Sequence, residues 1–82
     1  MKARYPEIRK ELANPKGVRF ADLVKICSEL FGAARVKGSH HIFKMPWAGD
    51  PRINLQADAK DAKPYQVKQV LKAVDRLEEE NG

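Results

Sequence analysis

The chain has 82 residues, 43% of them apolar, so it holds one small domain: at this size roughly 60% of the unfolded surface is buried, too little to be shared between two cores. One cysteine excludes an internal disulfide and a multi-thiolate metal centre, and no signal-peptide pattern or membrane-length apolar run is present, so a cytoplasmic location is expected. Sixteen Lys and Arg against eleven Asp and Glu give a net charge of +5, which favours an anionic partner.

The charge is unevenly spread. Residues 1–72 carry fifteen basic and seven acidic side chains, whereas residues 73–82 carry Arg76 against Asp75, Glu78, Glu79 and Glu80. A basic body with a short acidic tail from about residue 78 suits nucleic acid as ligand. Charge alone is equally compatible with lysine that merely keeps a small domain soluble.

In chain order, Pro6 is placed for a first helical position, Tyr5, Ile8 and Leu12 share one side at helical spacing, and Asn14-Pro15-Lys16-Gly17 stops the segment, which reads as a small packing helix. Phe20, Leu23, Val24, Cys27, Leu30 and Phe31 then follow a helical period, with Asp22, Lys25 and Glu29 opposite and Gly32 as C-terminal cap. Past Gly32 the pattern changes to short stretches between turn residues, and Ala33 to Lys37, His40 to Met45 and Arg52 to Gln56 are read as strands. Gly38-Ser39 is the tight turn between the first pair, and Pro46-Trp47-Ala48-Gly49-Asp50-Pro51 a looser connection to the third. A polar loop from Ala57 to Lys63 leads to Pro64 and a closing helix striped by Val67, Val70, Leu71, Val74 and Leu77, beyond which the acidic residues are expected to fray. The order helix, helix, three strands, helix predicts a two-layer α+β domain: a three-stranded antiparallel sheet with helices on one face, the short N-terminal helix among them, and one open basic face, as in the double-stranded RNA-binding fold. The expected core is Phe20, Leu23, Val24, Cys27, Leu30, Val36, Phe43, Leu55, Val67, Val70, Leu71 and Val74.

Reactive and basic side chains are densest in Arg35-Val36-Lys37-Gly38-Ser39-His40-His41-Ile42-Phe43-Lys44. Strand alternation points His40 and Ile42 one way, His41 and Phe43 the other; with Phe43 in the core, His40 is the accessible imidazole. An imidazole exchanges protons near neutral pH, as activating a ribose 2′-hydroxyl requires, and Lys37, Lys44 or Arg35 can hold the phosphate beside Ser39 of the turn. Spacing alone leaves open the blander reading of a solvated basic hairpin. The general acid is left open between water and His41. Trp47 suits stacking on an unpaired base as well as capping the sheet edge; Tyr65 and Gln66, after Pro64, suit either a phosphate at the helix start or packing against the third strand. Adjacent strand histidines diverge and Cys27 belongs to an apolar stripe, so no metal or other cofactor is expected.

At Lys37-Gly38-Ser39-His40-His41-Ile42-Phe43 the sequence resembles the HicA, or YcfA-like, toxin family of type II toxin–antitoxin systems. The resemblance continues at Ile53-Asn54-Leu55-Gln56 and Lys63-Pro64-Tyr65-Gln66-Val67-Lys68-Gln69, and more weakly at Val18-Arg19-Phe20-Ala21-Asp22-Leu23, covering about Arg19 to Leu77. It implies a metal-independent endoribonuclease, an mRNA interferase with a double-stranded RNA-binding-like fold, which cleaves mRNA and is held inactive by a HicB-type antitoxin. The family's catalytic histidine follows the Gly-Ser turn, which places it on His40; His41, Lys37 and Lys44 are the supporting candidates that the hairpin's own chemistry offers. One departure is Met45-Pro46, where many relatives carry His-Pro, so that second imidazole is absent. The alternative, from another class, is a non-catalytic RNA-binding or antitoxin-binding module of the same fold.

Overall fold

A chain with three separate apolar stripes of helical period must bring them to one place, and a short amphipathic sheet supplies it. The computed structural model describes residues 5–49 and 51–81. Its elements are α1 (Tyr5–Glu11), a 3-10 turn (Pro15–Gly17), α2 (Phe20–Phe31), β1 (Arg35–Lys37), β2 (His40–Lys44), β3 (Arg52–Asp58), β4 (Asp61–Ala62) and α3 (Pro64–Asn81). The strands form one antiparallel sheet in the order β1-β2-β3-β4, an α+β arrangement. Asp50, part of the expected connection between the second and third strands, lies outside the described residues.

The core is built on the sheet face that carries Phe43, Ile53 and Leu55, all buried. Against it lie Leu23, Ile26 and Cys27 of α2 and Val67, Val70 and Val74 of α3, while Ile8 and Leu12 close the far side. α2 packs on β2, β3 and β4, and α1 on α3. Arg9 ties α1 to α3 by an ion pair to Asp75 at 3.0 Å and another to Glu78. Gly32 caps α2 with φ 89°, its N–H donating to the Ser28 carbonyl at 3.1 Å; a left-handed φ costs a glycine little. Pro64 opens α3, and the Lys63 carbonyl accepts from the N–H groups of Gln66 and Val67.

Four expectations are corrected. The sheet has four strands instead of three, because part of the expected loop from Ala57 to Lys63 extends β3 and adds β4. That added pair is held from outside: the Ala62 N–H donates to the Val18 carbonyl at 2.9 Å and the Phe20 N–H to the Lys60 carbonyl at 3.1 Å, so the entry into α2 is laid along β4. Val36 is 60% exposed, because β1 is an edge strand with all its residues outside the core. Leu71, with Phe20, Val24 and Leu30, is only half-buried at the core's margin, while Ile26, Ile53, Met45 and Ala73 join its interior. The acidic end does not fray: Glu78, Glu79 and Glu80 continue α3, with Glu78 receiving Arg9 and Glu80 receiving Arg76 four residues earlier at 3.1 Å.

Candidate active site

Cross-strand pairs share a face, so the register fixes what accompanies each histidine. Lys37 stands opposite His40 and His40 opposite Gln56; Arg35 stands opposite Ile42 and Ile42 opposite Asn54; Lys44 stands opposite Arg52. These rows make up the uncovered side of the sheet, where Arg35, Lys37, Lys44, Arg52 and Asn54 are exposed. His41, paired with Leu55, faces the helices. Its ring meets Phe20 edge-on at 5.2 Å, and its Nδ1 is buried with no hydrogen-bond partner. His41 therefore packs on the layer opposite His40 and is no part of the same site, which removes it as the general acid.

His40 is the first residue of β2, presented by the Gly38-Ser39 turn. Gly38 has φ 60° at the first central position and Ser39 has no positive φ, the pattern of a two-residue II′ hairpin. Nothing lies within 4 Å of where a Cβ on Gly38 would stand, so glycine is needed there for its backbone alone. The His40 Nδ1 is 3.0 Å from the Asn54 Oδ1. A carboxamide oxygen only accepts, so the contact suits a proton on Nδ1, and in the neutral ring that tautomer leaves Nε2 as the acceptor. Beside it, the Gln56 Nε2 donates to the Ser39 Oγ at 3.0 Å.

The other wall of the site comes from the start of α3. The outward N–H of Gln56 in β3 donates to the Oε1 of Gln66 at 3.1 Å, and the Nε2 of Gln66 donates to the Tyr65 hydroxyl oxygen at 3.2 Å. Gln66 is 3% exposed, a buried polar side chain amid the apolar interior. It stays because it satisfies a strand-edge donor that β4 is too short to reach. Between the two walls lies a cleft of about 290 Å³ lined by His40, Arg52, Asn54, Gln56, Tyr65, Gln66 and Gln69.

Of the basic residues singled out from sequence, Lys37 flanks His40 across the strand pair, with Arg35 one row further along. Lys44 is on the same face but four residues down β2, roughly 13 Å at strand rise, outside the cleft. Ser39 is placed beside His40 through Gln56. Trp47 is not an open platform: Phe31 meets its ring edge-on at 6.4 Å, and the Arg76 guanidinium lies over it at 5.2 Å. A second hollow, bordered by Trp47, Lys72 and Arg76, shares Arg52 and Gln69 with the His40 cleft, so the two adjoin along the junction of β3 and α3. Asn54, Gln56 and Arg52 were missed as site residues from sequence; their parity in β3 is the signal, since they alternate with the core residues Ile53 and Leu55.

Cys27 is buried, and burial pushes its thiol up to about 12, which leaves it neither nucleophile nor ready ligand. Among the described residues no three of His, Cys, Asp and Glu stand together as a metal-holding group, and no helix is long and apolar enough to cross a membrane. No family model, curated protein or solved structure matches this chain.

Proposed function

We propose that the protein is a HicA-like toxin: a metal-independent endoribonuclease of double-stranded RNA-binding-like fold that cleaves mRNA at its open sheet face and is silenced by a HicB-type antitoxin covering that face. The observation that carries this reading is the presentation of His40. It stands at a cleft on the uncovered basic face with Nδ1 beside the Asn54 carboxamide oxygen, an arrangement in which the neutral ring offers Nε2 as the base. Nε2 takes the proton of a ribose 2′-hydroxyl, and the oxygen so activated attacks the adjacent phosphorus. Arg52 at the cleft and Lys37 beside it offset the charge that gathers on the phosphate. The single strand lies along the seam of β3 and α3, and a partner with an acidic surface blocks it by occupying the places of its phosphates.

The chemistry fixes the product. Purified protein incubated with RNA in the presence of a chelator is expected to leave 2′,3′-cyclic phosphate and 5′-hydroxyl ends. A substrate with 2′-deoxyribose at the scissile position is expected to stay intact. RNA left uncut, or cleavage that the chelator stops, would overturn the proposal.

A further inference from the structure

Transesterification at phosphorus moves two protons: one leaves the attacking 2′-hydroxyl, and one must reach the departing 5′-oxygen. His40 supplies a place for the first. The residues that line its cleft decide who supplies the second. Asn54, Gln56, Gln66 and Gln69 are carboxamides, and Arg52 holds its proton at any accessible pH, so none of these donates one to a leaving group. His41 lies on the other layer. The remaining lining group with a transferable proton is the phenol of Tyr65, which is 57% exposed.

We infer that Tyr65 is the general acid of this site, facing His40 from the helix wall of the cleft; the inference rests on the ribonuclease reading above. Its hydroxyl is not left to chance. The Gln66 carboxamide must turn its oxygen to the Gln56 backbone N–H, which only donates, so its NH₂ is fixed toward the Tyr65 oxygen. With that oxygen accepting from Gln66, the phenolic proton is not spent on that contact and is available to a group bound in the cleft. The same NH₂ remains in place as negative charge develops on the phenol oxygen. In the step itself, Nε2 of His40 gains the 2′-hydroxyl proton and the 2′-oxygen bonds to phosphorus. The bond from phosphorus to the 5′-oxygen breaks, and that oxygen takes the Tyr65 proton. Solvent returns a proton to the phenolate and removes one from the imidazolium, restoring both groups without any further reactant.

A bridging 5′-phosphorothiolate RNA tests this, because a thiolate leaves without protonation. On ordinary RNA, Tyr65→Phe is expected to slow single-turnover cleavage by about 10²- to 10⁴-fold per folded molecule, the folded fraction being measured alongside because the variant also removes the acceptor of the buried Gln66 NH₂. On the sulfur-bridged RNA the same variant is expected to run at close to the wild-type rate, while His40→Ala stays slow on both. Equal losses on the two substrates would assign Tyr65 to binding and overturn the inference, as would no loss on either. Wild-type protein that cleaved neither substrate would take down the ribonuclease reading itself, whereas cleavage that needed His40 but not Tyr65 would remove this inference alone.

Discussion

At the scale of single residues, the site depends on which atom of each side chain is already engaged. His40 and His41 are neighbours in sequence, yet one stands on the open face with Nδ1 beside the Asn54 carboxamide oxygen and the other is wedged against Phe20. Alternation along β2 makes that division legible in the sequence, since Phe43 is apolar and His41 shares its parity. Asn54 was not legible as a partner, because a diagonal contact across two strands requires the register, and nothing local in Ile53-Asn54-Leu55 specifies it. Asn54 lines the cleft and meets the His40 ring, so on the proposed ribonuclease reading its part is to position that imidazole. Replacing it with Ala is therefore expected to lower kcat by roughly an order of magnitude, at the weaker end of what a proton-transfer group contributes, with KM little changed. Steady-state kinetics on a short RNA would check it, and a loss confined to KM would make Asn54 a binding residue instead.

At the scale of elements, α2 and α3 were readable from period alone, and the sheet's last strand was not. β4 spans two residues, and its turn runs through Ala59 at φ 55°, with neither Gly nor Asn to announce it. Its stability comes from the segment entering α2, a tertiary cause that leaves no local trace. The boundary of the core was hard to read for a similar reason: a helical stripe gives the direction of burial but not its depth. Leu23 is 0% exposed while Leu71 is half-buried. Leu23→Ala is accordingly expected to cost about 2–5 kcal/mol in urea unfolding, and Leu71→Ala distinctly less. Cys27 allows a second check within α2. An unfolded thiol ionises above its ordinary value of 9.0, whereas the buried one resists until about 12. Stability from keeping it neutral is thus complete below pH 9 and is lost as pH rises toward 12. The advantage of wild type over Cys27→Ala is expected to shrink across that interval and stay constant below it.

At the scale of the whole molecule, folding sets part of the acidic end of the chain against basic side chains and leaves other basic side chains on the open sheet face. The acids at the end of α3 are drawn to Arg9 and Arg76, while Arg35, Lys37, Lys44 and Arg52 stand on the open sheet face. A polyanion lying across that face is expected to bind through phosphates, with affinity falling steeply as salt rises. Titrating the His40→Ala protein with single-stranded RNA at several salt concentrations measures this without cleavage. Removing one of those cations is expected to flatten the log–log slope by about 0.7, and a slope near zero would dismiss phosphate contacts altogether. Composition suggested such a partner, but it left undecided whether the molecule turns RNA over or only holds it. The most direct measurement is single-turnover cleavage of RNA, with chelator present, by wild type, His40→Ala and His41→Ala proteins of matched fold. The account predicts product from wild type, about 10²- to 10⁴-fold less from His40→Ala, and near wild-type cleavage per folded molecule from His41→Ala. Full activity in His40→Ala, or equal losses in both variants, would contradict it.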